Sequence, residues 1–171
     1  LTNIRWLTGS IMDLPALGVG QFDYINCSGV LHHLESTEGG LAALNSVLKD
    51  DGAMFIMLYG RYGRREVYDM QALLREYLPR DASIPEKIAM GRKLLAALPA
   101  TNSFRRNIAM WEWEFAADGF GDVGFYDLLL HSQDRCFDVP EIYALAAAEG
   151  LHLAGFPMRG ERYDPCKLVT D

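Results

Sequence analysis

The chain has 171 residues, 50% of them hydrophobic and 23% charged, an ordinary globular composition long enough for one domain with its own core. A net charge of −7 and a sequence pI near 5.1 argue against a nucleic-acid partner, because such binding leans on lysine and arginine to displace counterions. Cys27, Cys136 and Cys166 are scattered and form no CxxC pair, which argues against a disulfide framework and a zinc site and for a reducing, cytoplasmic setting. The longest apolar run, residues 53–59, is too short to span a bilayer, and no signal peptide is visible, so no membrane role is expected. The chain begins at Leu1 rather than methionine, giving the expectation that it is a fragment of a longer protein.

In chain order, residues 4–8 (IRWLT) form a short apolar strand candidate ended by Gly9 and Ser10. Residues 11–21 hold Pro15, Gly18 and Gly20 and read as a connection with one turn of helix. Residues 22–30 (FDYINCSGV) are apolar without clean alternation, the pattern of a parallel strand buried on both faces. Leu41, Leu44, Val47 and Leu48 then recur at helical spacing, with Asp51-Gly52 as the helix stop and Gly52 suited to a left-handed cap. Residues 53–59 (AMFIMLY) read as a second buried strand. Strand, helix and strand with short links predict a right-handed βαβ unit and a parallel sheet.

After Tyr59 the character changes. GRYGRR at 60–65 is a basic, glycine-rich loop, and Val67, Met70, Leu73, Leu74 and Tyr77 mark an amphipathic helix that stops at Pro79. Ser83 and Glu86 form a capping-box pattern around Pro85, opening a second helix through Leu98. Residues 104–115 predict a third helix, and residues 125–130 a short apolar segment. Asp138 and Glu141 repeat the capping-box spacing ahead of a helix to Glu149 that Gly150 ends. Residues 151–156 and 167–170 read as strands. The expected organisation is an α/β sheet domain from 1–60 and 136–171, with a helical insertion over 61–135 capping the strand C-termini.

Ligands of open α/β sheets bind outside the carboxyl ends of the strands, and here Ser28 and Gly29 keep that end small just before His32, His33 and Glu35. One histidine can pack at the helix entrance while the other is solvated, or either can act as a base near neutral pH. No metal site is expected, because adjacent histidines point apart and no further ligand stands at a known spacing. Arg61, Arg64 and Arg65 read as a solvated loop, or as a clamp for a carboxylate or phosphate. Trp111 and Trp113 face different sides of any helix, so one is expected in the core. Asp13 is expected to cap a turn and Cys27 to be an inert buried thiol; His131 and Arg135 share a helix face, extended by Asp127 and read as salt-bridged, only if that segment is helical.

Three blocks, GSIMDLP at 9–15, FDYINCSGVLHHL at 22–34 and LKDDGAMFIMLYG at 48–60, follow one another at spacings that resemble the class I S-adenosylmethionine-dependent methyltransferases. That family's E/D-x-G-x-G-x-G loop does not occur in the sequence, so the resemblance is to the family's C-terminal portion, a Rossmann-like, mostly parallel sheet lacking its first βαβ unit. The resemblance implies that Gly9, Ser10 and Ile11 flank the cofactor's adenine. It places Asn26, Cys27, Ser28 and Gly29 along its methionine end. His32 and His33 fall at the methyl-transfer site, and Tyr59, Arg61 and Tyr62 on the substrate side. It further implies methyl transfer to a small-molecule acceptor. The alternative is a non-catalytic, methyltransferase-like interaction or dimerisation module; a nicotinamide-dependent dehydrogenase fits less well. In the family's sheet the missing first strand lies beside the central one. Its absence predicts an apolar strand edge that either residues 4–8 or a second copy in a homodimer must cover.

Overall fold

The computed structural model describes residues 2–156. Its contacts divide the chain into two compact units, Leu1–Asp138 and Val139–Asp171. In the first unit, residues 2–10 are irregular and Trp6 is 86% exposed, so the strand expected at 4–8 does not form. A five-residue strand has no stability without a neighbour to complete its hydrogen-bond ladder, and none lies alongside among the described residues. Ser10, rather than Asp13, caps the 3-10 helix Ile11–Ala16 by accepting from the Met12 N–H at 3.2 Å.

Strand β1 (Phe22–Ser28) runs parallel to β2 (Leu48–Met57), joined by helix α1 (Thr37–Ser46), which realises the expected βαβ connection. Ser36 opens α1 by accepting from the Gly39 N–H at 2.9 Å. Gly52 does not cap α1. It lies inside β2, where a Cβ would meet Leu48 Cδ1 at 2.8 Å. There the ladder slips: Phe22 pairs with Leu48 but Tyr24 with Ala53. The glycine therefore serves an irregular start of a strand, a bulge-like role.

The expectation that β1 is buried on both faces fails: Cys27 is its one buried residue, and Tyr24 is 59% exposed. Among the described residues the strand has one ladder neighbour, β2, and no helix of its unit packs extensively along it. A second small parallel ladder pairs β3 (Tyr59–Gly60) with β4 (Cys136–Phe137). The α/β character is therefore present as two two-stranded parallel ladders among the described residues.

The core lies elsewhere. Helices α2 (Arg65–Tyr77) and α3 (Ile84–Ala97) form where the periodicity places them, and Glu86 reaches back to accept from Ser83 N at 2.8 Å, completing the capping signal. Their apolar faces meet Phe104, Phe115, Phe125, Leu128 and Leu129 in a contiguous buried cluster. Each such side chain contributes roughly 1.5–3 kcal/mol when fully buried. The single helix expected over 104–115 is broken into α4 (Ser103–Arg106), a 3-10 turn (Ile108–Met110) and α5 (Glu112–Phe115). The breaks let Asn107 Nδ2 and Trp111 Nε1 both donate to the Glu66 carboxylate, at 2.9 and 3.0 Å. Trp113 stays 58% exposed, as its spacing from Trp111 implies. Residues 121–130 form helix α6 (Gly121–Phe125) running into a π-helical turn (Tyr126–Leu130).

In the second unit, helix α7 (Val139–Ala148) ends as expected at Gly150, in left-handed conformation (φ +69°), with the Leu151 N–H returning to Ala146 O at 2.9 Å. Residues 151–156 are irregular rather than a strand, and the strand expected at 167–170 lies outside the described residues.

Candidate active site around His32 and Tyr59

At the carboxyl end of β1 the chain turns sharply. Gly29 takes a left-handed conformation (φ +75°), open to an L side chain only with strain. A 3-10 turn, Leu31–His33, follows and drives His32 inward to 1% exposure. Thr37 Oγ1 fixes this turn by donating to Leu31 O at 3.0 Å, and the Arg135 N–H donates to His32 O at 3.0 Å.

Tyr59, at the end of the next strand segment, receives the histidine. The His32 ring stacks on it at 3.8 Å with planes 29° apart, and the Arg64 guanidinium carbon lies 3.5 Å from the same ring's centre. Two groups that close cannot share one face, so the Tyr59 ring is sandwiched between an imidazole and a guanidinium. Arg64 also faces Trp111 at 5.4 Å and is 8% exposed. The reading of Arg64 as a solvated loop residue is therefore overturned; cation–π contact with two aromatic rings holds it inside. Arg61 instead pairs with Asp138 at 3.3 Å, and Tyr62 is 78% exposed.

His32 and His33 do not point apart: their rings meet edge to face at 4.2 Å. His33 Nδ1 donates to Gln133 O at 2.8 Å, which fixes its tautomer and turns Nε2 toward Asp127 Oδ1 at 3.9 Å. The His131 ring lies 4.0 Å from that of His33, so His33, Asp127 and His131 bring ligand-type atoms within 4.8 Å of one another. His131 Nδ1 accepts from the Gln133 N–H at 3.1 Å, so the neutral ring carries its proton on Nε2. Two of the three groups thus present a free lone pair for a cation. The helical stripe expected for Asp127, His131 and Arg135 does not form, because the π-helical turn ends at Leu130; Arg135 pairs with Glu38 at 2.7 Å.

Burial, reinforced by the neighbouring His33, pulls the His32 imidazole down to about 4. His32 is therefore neutral at pH 7 and too weakly basic to be an efficient proton acceptor there; its nitrogens are suited to hydrogen bonding. Burial also raises the Tyr59 and Tyr68 hydroxyls and the Glu114 carboxyl. Gln71, wholly buried, ties this region to the core by donating to Leu128 O at 3.0 Å and to Asp134 Oδ2 at 2.8 Å.

Of the residues singled out from sequence, the structure gathers His32, His33, Tyr59, Arg64, Asp127 and His131. Asn26 and Ser28 are exposed on β1, Cys27 is buried with its thiol pushed up by that burial, and Ser10 Oγ is engaged by Met12. Ile11 is half-buried and Gly9 exposed. Tyr68, Gln71 and Asp134 were not singled out by sequence reasoning. Tyr68 and Gln71 were hidden in the amphipathic pattern of α2, where a polar residue on the inward side was the one available signal.

A parallel βαβ connection with imidazoles and an aromatic side chain at its strand ends defines an α/β chain with a strand-end site. Residues 1–56 match the family model described as "Methyltransferase domain". An uncharacterized protein of Synechococcus sp. is 37% identical over 162 residues, covering 93% of this chain and 37% of that protein. The chain thus spans little more than a third of the length of this relative.

Proposed function

We propose that the chain takes part in S-adenosylmethionine-dependent methyl transfer to a small-molecule acceptor, within a Rossmann-like domain. The observation that carries this reading is the match of residues 1–56 to the methyltransferase-domain model. The site supports it in part. Gly29 turns the backbone out of β1 with its nearest neighbour, Met57 Cε, 3.5 Å from where a Cβ would stand, and both His32 ring nitrogens are buried without a partner. Asn26, Cys27, Ser28 and Gly29 would hold the methionine end of the cofactor by their backbone, with Gly9, Ser10 and Ile11 toward the adenine. When bound, the cofactor supplies an electrophilic methyl group on a sulfonium.

The chain's own residues then have modest work. In-line displacement at a methyl carbon depends on alignment, so orientation supplies much of the acceleration. His32, fixed against Tyr59, orients the acceptor through a ring nitrogen, and His33, held by Gln133 and facing Asp127, is the group placed to take a proton from it. Residues 1–60 carry the methyltransferase-like strands and residues 61–135 the substrate cap in this reading. The free thiols of Cys27 and Cys136 fit the cytoplasmic setting it assumes. Among the described residues no helix is long and apolar enough to cross a membrane.

Calorimetric titration with S-adenosylhomocysteine tests the proposal, using this chain and the same chain with whatever its reading frame encodes upstream. Micromolar binding by either is the expected result; silence from both overturns it. A second reading, a homodimerising interaction module, draws on one observation, the exposed Tyr24 on the unpaired edge of strand β1.

A further inference from the structure

Beside the stacked rings lies a set of polar atoms that the described structure leaves buried and unpartnered: Arg64 Nε and Nη2, both nitrogens of His32, Tyr68 Oη and Asp134 Oδ1. Native proteins leave few such atoms, and each costs free energy when nothing satisfies it. His32 and Arg64 both lie on the Tyr59 ring, and Asp134 acts electrostatically on Tyr59 and Tyr68, so these unsatisfied atoms belong to one neighbourhood suited to a ligand. The most demanding member is Arg64. It is always charged, 8% exposed, and within 4.0 Å of no carboxylate among the described residues. Glu114 acts on it electrostatically from beyond that distance, so Arg64 has an anionic neighbour but no ion-pair contact, and a ligand that brings negative charge to its edge adds the missing contact.

The identity of the two free nitrogens narrows the ligand. Nε and Nη2 form the side edge of the guanidinium fork, the edge that grips a carboxylate with two parallel N–H···O bonds. The guanidinium carbon lies 3.5 Å from the Tyr59 ring centre and 5.4 Å from that of Trp111, so the two rings hold the head group in place and leave its Nε–Nη2 edge for a ligand. Tyr68 lies within hydrogen-bonding reach of Arg64 and within the field of Asp134; its hydroxyl can donate and Asp134 Oδ1 can accept. We infer that Arg64 is the carboxylate clamp of this site, presented edge-on by the Tyr59 stack, with Tyr68 and Asp134 reading the polar groups beside the carboxylate. This deepens the methyltransferase reading and rests on it only for the source of the carboxylate, which is either the acceptor or the amino-acid end of the cofactor.

The test compares the wild-type protein with Arg64→Gln and Arg64→Lys. Two adenosyl probes are used, S-adenosylhomocysteine and 5′-methylthioadenosine, which lacks the carboxylate; two aromatic probes, benzoate and its uncharged counterpart benzamide, are followed by ligand-observed NMR. If the clamp holds the cofactor, R64Q weakens S-adenosylhomocysteine by roughly tenfold or more and leaves 5′-methylthioadenosine unchanged. If it holds the acceptor, R64Q leaves both adenosyl probes unchanged and abolishes a wild-type preference for benzoate over benzamide. R64K keeps the charge but not the edge, so it falls between the two and carries the comparison should R64Q fail to fold by circular dichroism. Equal binding of both carboxylate probes by wild type and variants, or no carboxylate preference in the wild type, overturns the inference. If this chain and its upstream-extended form both ignore the adenosyl probes yet prefer benzoate through Arg64, the methyltransferase reading falls and the clamp stands.

Discussion

The two halves of the first unit invert the usual relation between recognisable sequence and burial. The strand pair β1–β2 lies in the segment that carries the family motifs, yet β1 has a single buried residue, Cys27. Helices α2 to α6 and the π-helical turn carry no motif, yet they hold a contiguous core running from Val67 to Leu129. Motifs record where chemistry and chain reversal need particular residues; packing asks only for apolar surface at the right period. The site forms where the two regions meet, with His32 following β1 and Arg64 and Tyr68 at the head of α2.

The widest gap between the regions is expected in stability. Phe125 is fully buried, lies edge to face with Phe115, and fills the space above Gly91 so closely that a Cβ there would approach its ring at 3.0 Å. Phe125→Ala should cost about 3–5 kcal/mol by loss of burial and creation of a cavity. Urea unfolding followed by circular dichroism measures it. A loss under about 1 kcal/mol would mean that the helical cluster is not the stabilising half.

The next effect comes from the junction. His32 has an ordinary value of 6.5, held at about 4 in the folded chain by burial first and then by His33, against a smaller opposing pull from Asp134. The unfolded chain therefore takes up a proton below 6.5 that the folded chain refuses until about 4. Stability contributed by the neutral ring is complete above the unfolded value and declines as pH falls through that window, by roughly 3 kcal/mol. Unfolding free energies measured from pH 7.5 to 4.5 should slope downward in the wild type and less steeply in His32→Gln. Parallel slopes would remove His32 as the source.

What was legible in the sequence divides along the same line. Local signals came through: the Ser83–Glu86 capping pattern, the period of α2, the Gly150 stop, and the strand–helix–strand order of β1, α1 and β2. Signals that depend on a distant partner did not. Residues 4–8 and 151–156 have strand composition but no neighbour among the described residues to complete a ladder. Residues 104–115 have helical composition, but Glu66, some 40 positions earlier, recruits Asn107 and Trp111 across the breaks. The strand-end rule singled out His32, His33 and Tyr59, which the fold brings together, because chain direction is written locally. It did not separate Arg64 from Arg61 and Arg65, because a basic glycine-rich loop looks solvated until Tyr59 and Trp111 are seen to close over one of its members.

The smallest effect sharpens the comparison from the other side. Tyr24 sits mid-strand in β1, pairs with Ala53, and is 59% exposed. Threonine keeps the preference for extended backbone while removing the ring, so Tyr24→Thr should change unfolding stability by no more than about 0.5 kcal/mol, as for a surface position. If β1 is also the contact between two copies, the same substitution should shift sedimentation toward the monomer, since the ring is the largest apolar group that residue offers to a partner. A stability loss approaching that of Phe125→Ala, with no change in sedimentation, would mean that β1 is packed within the single chain. The strand pair would then be core rather than edge, and the contrast between the motif-bearing and the stabilising regions would collapse.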